Sequence, residues 1–217
     1  MTSLTQVTGA EVRAGLVRRG LQLGYTTVLY NSLEALIALV AGVVAGSVAL
    51  VGFGADSVIE VTAGVAALWR LGRDVDPARR QHAERLTLRI VGLCFLALAV
   101  YITWDSLKSL IEHEAPRESV TGIVLAAASL VVMPLLARAK RKVALAMGSG
   151  ALVAEAKQTA LCTWLSAILL GGLLLNAVLG WWWADPVAAL AMVPIIAREG
   201  WEGIRGRSAC ADDCCQV

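Results

Sequence analysis

Asp56 and Glu60 stand four residues apart in GSVALVGFGADSVIEVTAG, residues 46–64, a stretch otherwise apolar enough to cross a membrane. That spacing stacks both carboxylates on one side of a helix, where hard oxygen ligands can close on one metal ion or share one proton. A carboxylate deep in a bilayer costs roughly 2.5 kcal/mol or more, so two on one helix face call for a counter-cation. The plainer alternative is a water-filled vestibule, or a basic side chain reaching them from another helix.

The elements that must position this pair are membrane helices. The chain has 217 residues, 58% of them hydrophobic and only 17% charged, and a mean hydropathy of +0.69. Such a composition describes an integral, multi-pass membrane protein and excludes a soluble globular core. Runs long enough to span, about 20 residues each, fall at Val28 to Leu50, Val51 to Leu71, Leu86 to Ile111, Val120 to Ala137, Ala151 to Leu179 and Ala184 to Ala197. The expected fold is therefore an all-α membrane protein, a six-transmembrane-helix bundle. Its last helix is short but continues as the amphipathic REGWEGIRG. Helices one and two should form a hairpin that turns within Val51 to Gly54, and Gly42-x-x-x-Gly46 should serve close packing inside the bundle.

Arginine and lysine mark the topology. They gather before the first run (Arg13, Arg18, Arg19), after the second (Arg70 to Arg89), after the fourth (Arg138, Lys140, Arg141, Lys142) and after the sixth (Arg198, Arg205, Arg207). The intervening loops hold only Lys108 and Arg117. By the positive-inside rule both termini are cytoplasmic, and Trp181, Trp182 and Trp183 fall in an outer aromatic belt. The first 25 residues contain no apolar leader, so the first helix acts as its own insertion signal, in the cell (inner) membrane. Residues 1–27 then form a cytoplasmic segment, 28–207 the bundle and 208–217 a Cys-rich cytoplasmic tail, with no soluble domain after it. The net charge of +2 does not suggest a nucleic-acid partner.

A helix-ending Gly46-Ser47 pair, a short turn and then Asp56-Ser57-x-x-Glu60 resemble the second transmembrane helix of the cation diffusion facilitator transporters. Those proteins carry D-x-x-x-D or H-x-x-x-D there, as half of a tetrahedral metal site. Glu60 replaces the usual Asp, keeping the ligand chemistry on a longer arm. The segment MGSGALVAEAKQTALCTWLS, followed by LGWWWADPVAALA, is similar to the family's fifth and sixth helices. Counted from Ser149, the family's second ligand pair falls on Gln158 and Cys162. Counted back from Gly180-Trp181, it falls on Thr159 and Thr163. The first register is preferred, because both of its side chains can coordinate metal. The resemblance implies a metal site of Asp56, Glu60, Gln158 and Cys162, a transported divalent ion of zinc-like preference, no prosthetic group, and a homodimer as an assembly it allows. It covers the transmembrane domain alone.

Other polar groups lie in or beside the apolar runs. Asn31 and Glu34, one turn apart in helix one, are accessory candidates; Glu34 is read as a proton carrier, a salt-bridge partner of Lys157 or Arg89, or a second ion-binding group. Asp185 reads as an N-cap before Pro186. Glu155 and Lys157 read as solvated, Cys94 as packing and His82 as a surface residue; for His113, on the outer side beside Glu112 and Glu114, weak concentration of cations at an exit is the minor alternative. In the tail, Cys210, Cys214 and Cys215 with Asp212 and Asp213 suit a soft metal on the reducing side. A palmitoylation site is the alternative there.

The function expected is a divalent metal cation transporter, an efflux system exchanging metal for protons by alternating access within the lipid bilayer. The alternatives are a non-transporting metal-binding or regulatory membrane protein, and an organic-cation exporter using Glu34 and Glu60. No nucleophile, base and oxyanion arrangement suggests an enzyme.

Overall fold

The computed structural model describes the backbone of residues 2–71, 77–114, 116–147 and 150–205, and the side chains of 14–66, 68, 89–114, 116–147, 153 and 155–205. These residues form six helices and no strand: α1 (Thr2–Ala45), α2 (Val48–Leu71), α3 (Pro77–Glu112), α4 (Val120–Met147), α5 (Gly150–Leu179) and α6 (Ala184–Ile204). Helices are the natural outcome, since in hydrocarbon each backbone N–H and C=O must find its partner within the segment. Five of them contain stretches long and apolar enough to cross a membrane: Ala14–Ala45, Val48–Ala66, Arg89–Glu112, Val120–Met147 and Glu155–Leu179. α6 falls short of that measure because Asp185 stands in its first turn and Arg198, Glu199 and Glu202 in its last two.

Three helix pairs make the most extensive contacts, α1 with α2, α3 with α6, and α4 with α5. α2 lies against α1, α3, α5 and α6, which puts its polar face at the centre of the bundle. The core between them is built from Ala38, Phe53, Ile102, Leu169, Ala189 and Met192, all completely or almost completely buried. Large apolar side chains such as Leu29, Val43, Val100, Trp104 and Val178 point away from the bundle. An outward apolar surface of that extent is what a lipid-facing protein presents.

The turn between the first two helices lies earlier than Val51 to Gly54. Gly46 takes a left-handed conformation, φ +68°. Its N–H donates to Val43 O at 3.3 Å and the Ser47 N–H to Gly42 O at 3.0 Å, the two bonds of a Schellman ending. Ser47 then caps α2, its Oγ accepting from Leu50 N at 3.1 Å. Gly42 serves packing inside the hairpin: a Cβ there would come within 2.8 Å of Val51. Gly46 belongs to the turn.

Asp185 does not cap its own helix. It lies inside the first turn of α6 and accepts from Ser47 Oγ at 2.5 Å and from Ala49 N at 3.4 Å. It thereby completes the N-terminus of α2 from across the bundle, where the helix dipole favours a negative charge. Two further bonds gather the connections at this end: Arg117 N donates to Ala45 O at 2.8 Å, and Asn176 Nδ2 to Pro116 O at 3.1 Å. The α1–α2, α3–α4 and α5–α6 connections therefore share one end of the bundle.

At the opposite end α4 runs on to Met147, so Arg138, Lys140, Arg141 and Lys142 belong to a helix and not to a loop. Lys140 is only 4% exposed. Its Nζ donates to Glu155 Oε1 at 2.8 Å and to Thr159 Oγ1 at 3.2 Å, joining α4 to α5. Glu155 is thus paired, whereas Lys157 is exposed as expected. Cys94 points outward from α3 instead of packing within the bundle.

Candidate metal site

α2 carries Asp56 and Glu60 on its inward face, one turn apart, and α5 presents Cys162 to them. All three are buried, at 3%, 8% and 1% exposure. One ligand atom from each lies within 4.8 Å of the others, and the thiol donates to Asp56 Oδ2 at 3.5 Å. Tetrahedral zinc bound to oxygen and sulfur holds its ligands about 3.3–3.8 Å apart by its bond lengths. A small inward movement would therefore close these three on one cation. Gln158, one turn before Cys162, lines the same small cleft.

Of the alternative register, Thr159 is turned to Lys140 and to the Glu155 carbonyl, which its Oγ1 meets at 3.0 Å. The Thr163 hydroxyl is buried without a partner. The described residues therefore bring Cys162 against the α2 pair and engage Thr159 elsewhere.

The cluster has no ion-pair partner among the described residues. The ion pairs among the described residues are Lys108–Glu112, Lys140–Glu155 and Arg198–Glu202, and none of them reaches Asp56 or Glu60. Among the described residues the only direct hydrogen-bond donors to this pair are the Cys162 thiol and Asn31, whose Nδ2 donates to Glu60 Oε2 at 2.6 Å. Two buried carboxylates so sparsely supplied can bind a divalent ion or take up protons, and the same oxygens serve both.

Glu34 lies deeper along α1 and is 1% exposed. It forms no salt bridge with Lys157 or Arg89 among the described residues. Ser57 Oγ donates to its Oε2 at 2.9 Å, Ser129 Oγ donates to its Oε1, and Tyr30 OH lies 2.9 Å from Ser129 Oγ. Hydroxyls from α1, α2 and α4 thus enclose a carboxylate one turn from Asn31.

Glu199 was not legible as a site residue, yet it lines the cleft beside Gln158. Its sequence signal is weak: it follows Ile195 and Ile196 at helical spacing on the amphipathic end of α6. His113 takes φ 55° and sets its ring 4.9 Å from that of Trp182, while Trp181 and Trp183 stack on each other at 4.9 Å. Ser149 and the tail residues Cys210, Asp212, Asp213, Cys214 and Cys215 lie outside the described residues, as does the His82 side chain.

Comparison with known proteins gives the family. The family model described as the cation efflux transmembrane domain matches residues 25–206. The chain is also 25% identical over 155 residues to an uncharacterized transporter of Synechocystis sp., an alignment covering 69% of this chain and 50% of the relative. The chain thus spans about half the length of that relative. With nearly all of its helical bundle matched, the chain belongs to the cation efflux family, as a multi-pass transmembrane domain.

Proposed function

We propose that this protein exports a divalent metal ion across the cell membrane in exchange for protons, at a site made by Asp56, Glu60 and Cys162 with Gln158 completing the shell. The observation that carries this reading is the convergence of two carboxylates and a thiol within 4.8 Å, with no basic residue of the described chain paired to them. Membership of the cation efflux family supports the class of cargo. The donor set supports its softness, because a thiolate favours zinc or cadmium over manganese and magnesium.

Exchange follows from the chemistry of the ligands. The two carboxylates and the thiol must be deprotonated to hold metal, so a site opened to a proton-rich face releases the ion as it takes up protons. Opened to the cytoplasm, where the positive-inside rule places both termini, it loses those protons to incoming metal. Alternating access requires the helices holding the site to expose it to one face at a time. α2 and α5 supply the ligands, and α6 borders the cleft with Glu199.

The test is metal flux in proteoliposomes with zinc, cadmium, cobalt, manganese and iron(II) under an imposed pH gradient. Zinc and cadmium should lead, and collapse of the gradient should slow transport. Flux that ignores the pH gradient removes the antiport, and no flux of any metal with binding intact favours a metal-binding or regulatory membrane protein.

A further inference from the structure

Asn31 is an α1 residue only 1% exposed, and the two ends of its amide have different fates. Nδ2 donates to Glu60 Oε2 at 2.6 Å. Oδ1 is buried and meets no donor. Exchanging the two atoms would not relieve this, since it would set two acceptors against each other and leave the NH2 group without a partner. Buried carboxamides normally satisfy both ends.

Among the described residues no donor reaches this oxygen. Glu34, one turn further along α1, draws both of the hydroxyls beside it, from Ser57 and Ser129. Lys140 directs two of its three N–H donors to Glu155 and Thr159. Towards α2 lies the acidic cluster, Asp56 and Glu60, which offers acceptors. An unpartnered oxygen on an amide already bonded to Glu60 is placed to take an electropositive partner that Glu60 also holds.

We propose that Asn31 Oδ1 is a ligand from α1 to the cation held by Asp56 and Glu60, so that three helices contribute to the site. The inference rests on the metal-transport reading above. The amide N–H steadies one oxygen of Glu60 and leaves the other for the ion, while Oδ1 adds a neutral, hard donor to a set that also holds the thiol of Cys162. Its effect is on selectivity. A carbonyl oxygen suits manganese, which prefers oxygen ligands and more than four of them, and adds little for cadmium, which is held by sulfur. Asn31 and Cys162 therefore pull the preference in opposite directions, and their balance sets the range of ions accepted.

The experiment measures equilibrium binding of manganese and cadmium to the full chain in lipid nanodiscs, for the wild type and for Asn31→Ala, Asn31→Asp and Asp56→Asn. Asn31→Ala should weaken manganese about tenfold, the factor of one good interaction, and cadmium much less. Asn31→Asp keeps an oxygen but lacks the NH2 group, and should hold or strengthen manganese binding. If Asn31 serves only to orient Glu60, Asp repels it and both variants weaken both ions alike, which would overturn the proposal. Unchanged binding of both ions in both variants would overturn it too. Asp56→Asn separates the two levels: wild-type affinity there removes the metal site itself, whereas lost affinity there with an unaltered Asn31→Ala sinks the α1 ligand alone.

Discussion

Two buried acids of nearly equal burial, Asp185 and Asp56, are served in opposite ways. Asp185, 1% exposed, meets a serine hydroxyl and a backbone N–H at the start of α2. Asp56, 3% exposed, meets a thiol at 3.5 Å and has the acidic Glu60 as its neighbour one turn on. The first carboxylate has its donors built into the chain, so it serves to join two helices. The second has almost none, so it needs a proton or a metal. Burial alone does not separate structure from function in a membrane bundle; the supply of donors does.

The sharpest way to test that contrast is to remove each charge. Asp56→Asn or Glu60→Gln should abolish metal flux while the protein still inserts and folds. Losing an under-supplied charge relieves desolvation, so thermal stability in detergent should hold or rise. Wild-type flux from Asp56→Asn would end the comparison on that side. Asp185→Asn should do the reverse. Hydrogen bonds to a buried charge contribute about 1.5–3 kcal/mol, so unfolding should be easier by about that much, with metal affinity unchanged. A loss of affinity without a loss of stability would place Asp185 in the transport machinery.

The two ends of this comparison were not equally legible. The helices could be read because lipid contact forces long apolar runs, and the Asp56/Glu60 pair because a carboxylate in such a run is costly. The first turn was misplaced because Gly52 and Gly54 resemble turn punctuation, whereas they lie inside α2 and let Ile102 and Leu39 approach closely; the Gly46-Ser47 pair is the better signal, glycine for the left-handed ending and serine for the next cap. α4 was cut short at Ala137 because its charges resemble a loop, although Ala, Arg and Lys are good helix formers. Asp185 was assigned to its own helix since local sequence cannot show a cap supplied across the bundle. The same holds for Asn31 on Glu60, the two serines on Glu34, and Glu199 at the cleft, all contacts between distant segments. Cys162 came only from a family register.

That register can be sharpened by substitution at a smaller scale. Cys162→Asp, the residue the family would place there, should keep metal binding but harden the site, raising manganese or iron(II) transport relative to cadmium by about tenfold, the size of one soft-for-hard ligand exchange. Cys162→Ala should weaken every metal, and Thr163→Ala should matter little. If Cys162→Ala keeps the wild-type ranking while Thr159→Ala or Thr163→Ala does not, the other register holds. Protons compete with metal for the thiol and both carboxylates, so wild-type affinity should fall as pH drops, and fall less steeply in Cys162→Ala, which has one fewer group to deprotonate.

The smallest expected effect concerns Cys210, Cys214 and Cys215, proposed as an accessory metal-catching group. They belong to the same chain as the site and need no place in the pore to matter, because a tethered ligand raises the local concentration of its cargo. Deleting residues 208–217 should therefore leave maximal flux nearly unchanged. At low free zinc the rate should drop a few-fold, since capture then limits delivery. Replacing the three cysteines with serine should reproduce the deletion if the thiols act by binding metal, as soft donors do for zinc. The measurement is the zinc concentration dependence of flux in proteoliposomes with the tail side exposed to metal. An unchanged half-saturating concentration in both variants would show that the tail does not feed the site, leaving Asp56, Glu60 and Cys162 to gather the ion unaided.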